Sequence, residues 1–235
     1  MARALVVIPT YNERENIERL ATEVLSLPLG LHILIVDDNS PDGTGQVADE
    51  LARRHPDRVS VLHREQKAGL GAAYVAGFKE ALRLNADYIL EMDADFSHDP
   101  KYLPDLLRKI EDADLVLGSR YIQGVSVINW SFWRLVISLF ANKYVQWVTG
   151  MRYTDCLGGF KCFRRKVLEE IGLDRVMARG YVFQAEMLYR AHRKGFRVAE
   201  VPIVFCDRDF GVSKMSKRTV LEAFFVVLWL KLTVK

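Results

Sequence analysis

Cysteine is scarce in this 235-residue chain and comes in an odd number: Cys156, Cys162 and Cys206, with no Cys-x-x-Cys pair among them. That count and spacing argue against a disulfide framework and against a zinc site, and a reducing compartment is the simpler expectation. Charge of one sign is lacking too. The net charge is only +3, and no long basic tract or zinc-finger spacing occurs, so nucleic acid is not an expected partner. No long linker or internal repeat divides the chain. The aliphatic run Ala4 to Ile8 is too short for a signal-peptide core and is followed by no cleavage site, so no signal peptide is expected. The terminal run Val220 to Leu232 is interrupted by Glu222 and Lys231 and falls short of the ~20 apolar residues that span a bilayer. Glycine is absent from Pro9 to Arg14, where a dinucleotide-binding Gly-x-Gly-x-x-Gly would have to lie.

What is present is an alternation. Half of the residues are hydrophobic, enough for a sizeable core in one large domain. Val- and Ile-rich runs at Ala4 to Ile8, Ile33 to Val36, Val59 to Leu62, Tyr88 to Met92 and Leu115 to Leu117 alternate with stretches of helical periodicity at Arg14 to Leu25, Leu70 to Leu84 and Tyr102 to Ile110. Continuous apolar strands separated by helices predict an α/β fold, a mostly parallel sheet with helices on both faces. Ligands of such sheets bind at the carboxyl ends of the strands. The segments there are Pro9 to Glu13, Asp37 to Thr44, Arg64 to Gly71, Asp93 to Asp95 and Gly118 to Tyr121, all polar or turn-forming.

Asp93 and Asp95 stand two apart where the fourth run stops, so their side chains can converge at a strand mouth. Carboxylates that close repel unless a proton or cation intervenes, and hard oxygen ligands suit Mg²⁺ or Mn²⁺ shared with substrate phosphates. The plainer alternative is a solvated loop in which Asp99 caps a helix beginning at Pro100.

Taken together, Val7-Ile8-Pro9-Thr10-Tyr11-Asn12-Glu13, Val36 to Thr44, Lys67-Ala68-Gly69-Leu70-Gly71, Met92-Asp93-Ala94-Asp95, Gly118-Ser119-Arg120-Tyr121 and Asp207-Arg208 with Gly211, Ser213 and Lys214 resemble the family 2 glycosyltransferases, and within them the polyprenol (dolichol) phosphate mannose synthases. The resemblance spans roughly residues 4 to 217. It implies a GT-A fold, a nucleotide-sugar donor and a divalent cation, Mg²⁺ or Mn²⁺. Pro9, Tyr11, Glu13, Val36, Asp38 and Lys67 then match donor-site positions, Asp93, Ala94 and Asp95 the diphosphate and metal stretch, and Ser97 a position that joins the metal shell in some relatives. Arg120, Arg208 and Lys214 match catalytic, phosphate-binding cations, and Arg120, Arg134 and Ser138 the lipid-phosphate acceptor region. The chain departs from the usual acceptor pattern with Ser138-Leu139-Phe140-Ala141-Asn142. Asp155 and Glu186 are weaker candidates; Glu186 reads equally as lining the acceptor or sugar site and as a carboxylate satisfied in the core or capping a helix.

Trp130 to Trp147 reads as a helix whose apolar surface is wider than one stripe, either packed on the sheet or lying at a membrane boundary, where Trp and Tyr are favoured. The same two readings apply to Val220 to Leu232, flanked by Lys217, Arg218, Lys231 and Lys235. Asp207 to Lys217 reads as a loop that closes over substrate. The expected organisation is a catalytic domain over residues 1–218 and an interfacial helix over 219–235. The resemblance implies an inverting transferase moving mannose from GDP-mannose to a polyprenyl or dolichyl phosphate, peripheral on the cytoplasmic face of a membrane, with a membrane partner subunit left open. Two rivals stand beside it: a UDP-sugar transferase acting on the same lipid, and a non-catalytic nucleotide-sugar-binding subunit.

Overall fold

The computed structural model of the protein describes residues 2–178, 180, 182–206 and 217–234, with side chains from 224 onward in the last segment. In chain order it runs β1 (Ala4–Thr10), α1 (Arg14–Ser26), β2 (His32–Asp37), α2 (Thr44–Arg54), β3 (Val59–His63), α3 (Leu70–Arg83), β4 (Tyr88–Glu91), α4 (Leu103–Lys109), β5 (Leu115–Ser119), β6 (Val127–Ile128), α5 (Phe132–Thr149), β7 (Lys161–Arg164), α6 (Arg165–Glu170), α7 (Val182–Arg193), β8 (Val198–Pro202), β9 (Phe205–Cys206) and α8 (Lys217–Thr233).

One sheet takes the order β3-β2-β1-β4-β7-β5-β8, and β6 and β9 form a small second one. Every pairing in the large sheet is parallel except those of β7, which runs antiparallel to both β4 and β5. The expected mostly parallel sheet is therefore present, and the carboxyl ends of all its strands but β7 lie along one edge. Alternation along β1 sorts side chains between two cores. Leu5 and Val7 pack with Tyr74 and Phe78 of α3 and Phe183 of α7. Ala4, Val6 and Ile8 pack with Ile17 and Leu20 of α1 and Leu51 of α2. Full burial of each Leu, Ile or Val contributes ~1.5–3 kcal/mol over exposure. Gly77 allows α3 its close approach, because a Cβ there would stand 2.4 Å from Val7 Cγ1.

Three elements differ from the sequence reading. β7 was not anticipated, because Lys161 and Arg164 bracket only Cys162 and Phe163 and the stretch carries no apolar run; Lys161 is nonetheless fully buried. The stretch after α7, where a single strand near Val198 to Phe205 fits the apolar residues, forms two: β8 pairs with β5, β9 with β6, and the break follows Pro202, which has no N–H to offer a ladder. β4 ends at Glu91, one residue early, although Met92 N–H still donates to Val7 O.

The helix expected over Trp130 to Trp147 is α5, capped by Ser131 Oγ accepting from Arg134 N–H at 3.3 Å. One edge of α8 belongs to the core, with Val227 and Leu230 buried, and Tyr144 of α5 stacks on Phe224 at 4.5 Å. No helix among the described residues is long and apolar enough to cross a membrane.

Candidate active site

The chain leaves β1 toward β2 and β3 on one side, while β4 lies on the other. That reversal of strand order opens a crevice between the loops after β1 and β4, the usual ligand position in such sheets.

On the β1–β2 side, side chains staple the two loops together. Thr10 Oγ1 donates to Asp37 Oδ1 at 3.0 Å, Asn12 N–H to Ser40 Oγ at 3.1 Å, and Glu13 N–H to Thr44 Oγ1 at 3.0 Å. Asn12 takes φ 60°, a left-handed conformation that asparagine tolerates. Tyr11 lies beneath the ammonium of Lys67, 3.5 Å from its ring centroid. Asp38 is buried with Arg64 Nη1 donating to its carboxylate at 2.5 Å; burial raises its pKa and the Arg64 charge opposes the rise. Tyr11, Glu13, Asp38 and Lys67 thus gather at one end of the crevice. Val36 does not join them. Its side chain is fully buried beneath α3, so the expected donor contact through it is corrected to a packing role. Pro9 and Ala94 are likewise buried.

Across the crevice, Asp93 and Asp95 follow β4 and are both partly exposed. Tyr74 Oη donates to Asp93 Oδ1 at 2.9 Å, and Ser97 N–H donates to Asp95 Oδ1 at 3.1 Å. Ser97 is only 3% exposed, and the tie to Asp95 runs through its N–H. Asp99 caps the 3-10 turn Pro100–Tyr102, as the plainer reading of that residue held. His98 accepts the Asp93 N–H on Nδ1 at 3.0 Å, so its own proton sits on Nε2; burial lowers its pKa and keeps the ring neutral. The ring lies flat on Phe160, with centroids 4.9 Å apart.

These residues fit a hard cation. Among the described residues no cluster of three or more His, Cys, Asp or Glu side chains gathers to hold a metal alone. Two carboxylates facing an open crevice instead match a cation that takes its remaining ligands from a diphosphate and water.

Behind Asp93 a buried polar group joins three elements. Lys161 of β7 donates to Gly158 O at 2.5 Å, to Gln184 Oε1 of α7 and, at 3.5 Å, to Glu91 Oε2 of β4. Burial lifts the Glu91 carboxyl to about 7, against the pull of the Lys161 charge.

At the end of β5, Arg120 is buried with Asp155, which accepts from Nε and Nη2 at 2.6 Å each. Nη1 is then the nitrogen left to meet an anion. Arg134 of α5 stacks over Trp130 at 4.5 Å, and Ser138 Oγ lies 2.8 Å from Tyr121 Oη. Arg208, Lys214 and the rest of the expected loop over 207–216 fall outside the described residues, and Lys217 begins α8. Neither weaker candidate carboxylate faces the crevice as a base. Asp155 is taken by Arg120; Glu186 is fully buried, accepting from Ala178 N–H at 2.9 Å and Arg190 Nε at 2.9 Å. Sequence reasoning passed over Tyr74, His98 and Lys161. The signal for His98 is its spacing, three residues after Asp95.

The glycosyl transferase family 2 model matches residues 5–172. The chain is 51% identical over 226 residues to the polyprenol monophosphomannose synthase of Mycolicibacterium smegmatis, covering 96% of this chain and 85% of that one. It is 44% identical over 221 residues to the undecaprenyl-phosphate mannosyltransferase of Micrococcus luteus, covering 94% and 90%. The fold is shared with glucosyl-3-phosphoglycerate synthase from Mycobacterium tuberculosis, solved with Mn²⁺, UDP and phosphoglyceric acid, at TM-score 0.73, 18% identity and coverage of 100% and 80%. It is shared also with the Pyrobaculum calidifontis mannosyltransferase solved with GDP-Man and Mn²⁺, at TM-score 0.60, 19% identity and coverage of 99% and 73%. A family match over most of the chain and relatives at this identity leave one assignment: the chain is a GT-A-type glycosyltransferase belonging to glycosyl transferase family 2.

Proposed function

We propose that the protein transfers mannose from GDP-mannose to a polyprenyl phosphate with inversion, giving polyprenyl phosphate mannose and GDP at a cytoplasmic membrane surface. The observation that carries the reading is the 51% identity over nearly the whole chain to a polyprenol monophosphomannose synthase. The geometry is consistent with it. Asp38, Tyr11, Glu13 and Lys67 line the nucleoside end, and a carboxylate there suits a guanine edge, which offers adjacent N–H donors. Asp93 and Asp95 would hold Mg²⁺ or Mn²⁺, which neutralises charge on the departing diphosphate when bound.

The acceptor end comprises Arg134, Ser138 and the Arg120 wall, with Arg208 and Lys214 assigned to phosphate from the sequence alone. The bond from the anomeric carbon to the GDP oxygen breaks as one forms to an oxygen of the acceptor phosphate. A phosphate monoester has a second pKa of about 6, so the nucleophile arrives ionised and no protein base is needed. The engagement of Asp155 by Arg120 and of Glu186 by Arg190 accords with that. The protein's own task is to hold two anions in line, which places weight on cations and on rigid spacing.

Exposed Phe132, Trp133, Phe140 and Trp147 on α5 and Phe225 and Leu232 on α8 support docking at the headgroup level, where the acceptor phosphate lies. The test offers labelled GDP-mannose, UDP-glucose and UDP-N-acetylglucosamine with polyprenyl phosphate and Mg²⁺ or Mn²⁺. Label entering lipid from GDP-mannose alone is the expected result. Label from a UDP-sugar instead, or from none of the three, refutes the reading.

A further inference from the structure

Phe205 belongs to no motif of the sequence, yet its ring meets both halves of the site. It is half-buried in β9, paired with Val127 of β6, and its N–H donates to Ser126 O at 3.0 Å. On one side its ring meets the His98 ring edge to face at 5.8 Å, and His98 Nδ1 accepts the N–H of Asp93. On the other side it meets Trp130 edge to face at 5.6 Å, and Arg134 stacks over Trp130 at 4.5 Å. The Arg120 guanidinium lies 5.4 Å from the Phe205 ring and 5.3 Å from the Trp130 ring.

An unbroken row of ring contacts therefore joins the carboxylate loop after β4 to the first turns of α5. Trp130 does not take its orientation from a bond of its indole N–H to any described residue, since that buried N–H has no hydrogen-bond partner among them. Its faces and edges orient it, and Phe205 supplies the edge contact on the donor side. Arg134, stacked on that indole, inherits the placement.

We propose that Phe205 is a positioning residue that sets the distance between the diphosphate end of the site and the Arg134 that meets the acceptor phosphate. This rests on the functional reading above for the identity of the acceptor, while the row of contacts does not. In-line displacement is sensitive to that distance. A misplacement of about 1 Å far from the reacting atoms costs roughly 10²-fold in rate. Loss of the ring should thus slow turnover with both substrates saturating and leave nucleotide affinity where it was.

The experiment compares Phe205→Leu, Phe205→Met and Phe205→Tyr, each alone and with Arg134→Ala. It reads kcat, both KM values, GDP affinity in Mn²⁺ and the melting temperature. Leu and Met should lower kcat by roughly 10- to 100-fold with GDP affinity unchanged, and Tyr, which keeps the ring, should restore it to within a few-fold. In the Arg134→Ala background the Phe205 changes should add less than about 2-fold, because the residue through which they act is gone. Effects that multiply in the double variant, a fall in GDP affinity matching the fall in kcat, or a Leu variant equal to wild type would each overturn the proposal. Met, unbranched and able to fill the space more adaptably than Leu, serves if Leu unfolds the β6–β9 ribbon. A wild type that moves no sugar to lipid counts against the functional reading and removes the acceptor half of this inference with it.

Discussion

Asp155 grips Arg120 at three points, accepting from Nε and Nη2 at 2.6 Å each and from the backbone N–H at 3.1 Å. Asp155 is itself held by Glu200 of β8, whose carboxylate accepts from the Thr154 and Asp155 N–H groups. Breaking a buried pair from one side strands the other charge, so Asp155→Ala should destabilise the fold by ~3–5 kcal/mol. Urea unfolding measures this directly; a loss below about 1 kcal/mol would show that Arg120 finds water or another partner.

Glu91 yields a pH dependence whose sign is fixed by its burial. An unfolded Glu titrates at 4.5, and the folded carboxyl stands at about 7 with desolvation as the leading cause. Between those values the folded chain holds a proton that the unfolded chain does not. The stabilising contribution of Glu91 is therefore complete below the unfolded pKa and is lost as pH rises through about 7. Measured against Glu91→Gln, which cannot titrate, wild type should lose roughly 3 kcal/mol between pH 4.5 and 8. A difference that stays flat with pH contradicts the placement of this carboxyl.

Gly71 opens α3 against the segment before α7, and a Cβ there would stand 2.4 Å from Ala178 O. Backbone cannot yield as a side-chain tip does, so Gly71→Ala should cost ~1–3 kcal/mol, read as a lowered melting temperature. Gly195→Ala strains a positive φ, which Gly71 does not have, and nothing lies within 4 Å of its Cβ, which makes it a control for strain without a clash.

The fold was legible where physics is local. Aliphatic runs gave β1 to β5 nearly in place, and the spacing of Asp93 and Asp95 after an apolar run put both on the crevice. What could not be read depends on partners far apart in the chain. Lys161 is sheltered by a carboxylate 70 residues away, and without that partner its stretch does not look like a central strand. That Arg120 has its Nε and Nη2 held by Asp155, 35 residues on, cannot be read from the local sequence either. Glu186 reads equally as a site carboxylate and as one satisfied in the core, and only the Met177 and Ala178 N–H groups and Arg190, which fill its lone pairs, favour the second.

The proposed membrane docking can be tested apart from stability by choosing side chains that touch little. Phe140 and Trp147 are 73% and 83% exposed, so their joint replacement by serine should leave the fold within about 0.5 kcal/mol of wild type. Cosedimentation with anionic vesicles should nonetheless fall several-fold. Removal of α8 is the weaker test, because Val227 and Leu230 lie in the core and their loss destabilises the protein whatever α8 does at a bilayer. Unchanged sedimentation of the serine variant would place the docking surface elsewhere.

Asp95 is the carboxylate assigned most directly to the cation. Asp95→Asn keeps the acceptor for Ser97 N–H and should fold normally, while turnover falls by ~10² or more and Mn²⁺ no longer strengthens nucleotide binding. Near-normal turnover with unchanged metal dependence would remove Asp95 from that role.

In the proposed transfer the nucleophile is a phosphate anion already ionised on arrival, so that no carboxylate of the protein acts as base. The most direct measurement gives the protein labelled GDP-mannose and Mg²⁺ with either a polyprenyl phosphate or the same polyprenol without its phosphate. Label should enter lipid with the phosphate alone, at a rate that rises through about pH 6 and then stays level. Transfer to the free polyprenol at a comparable rate would contradict it.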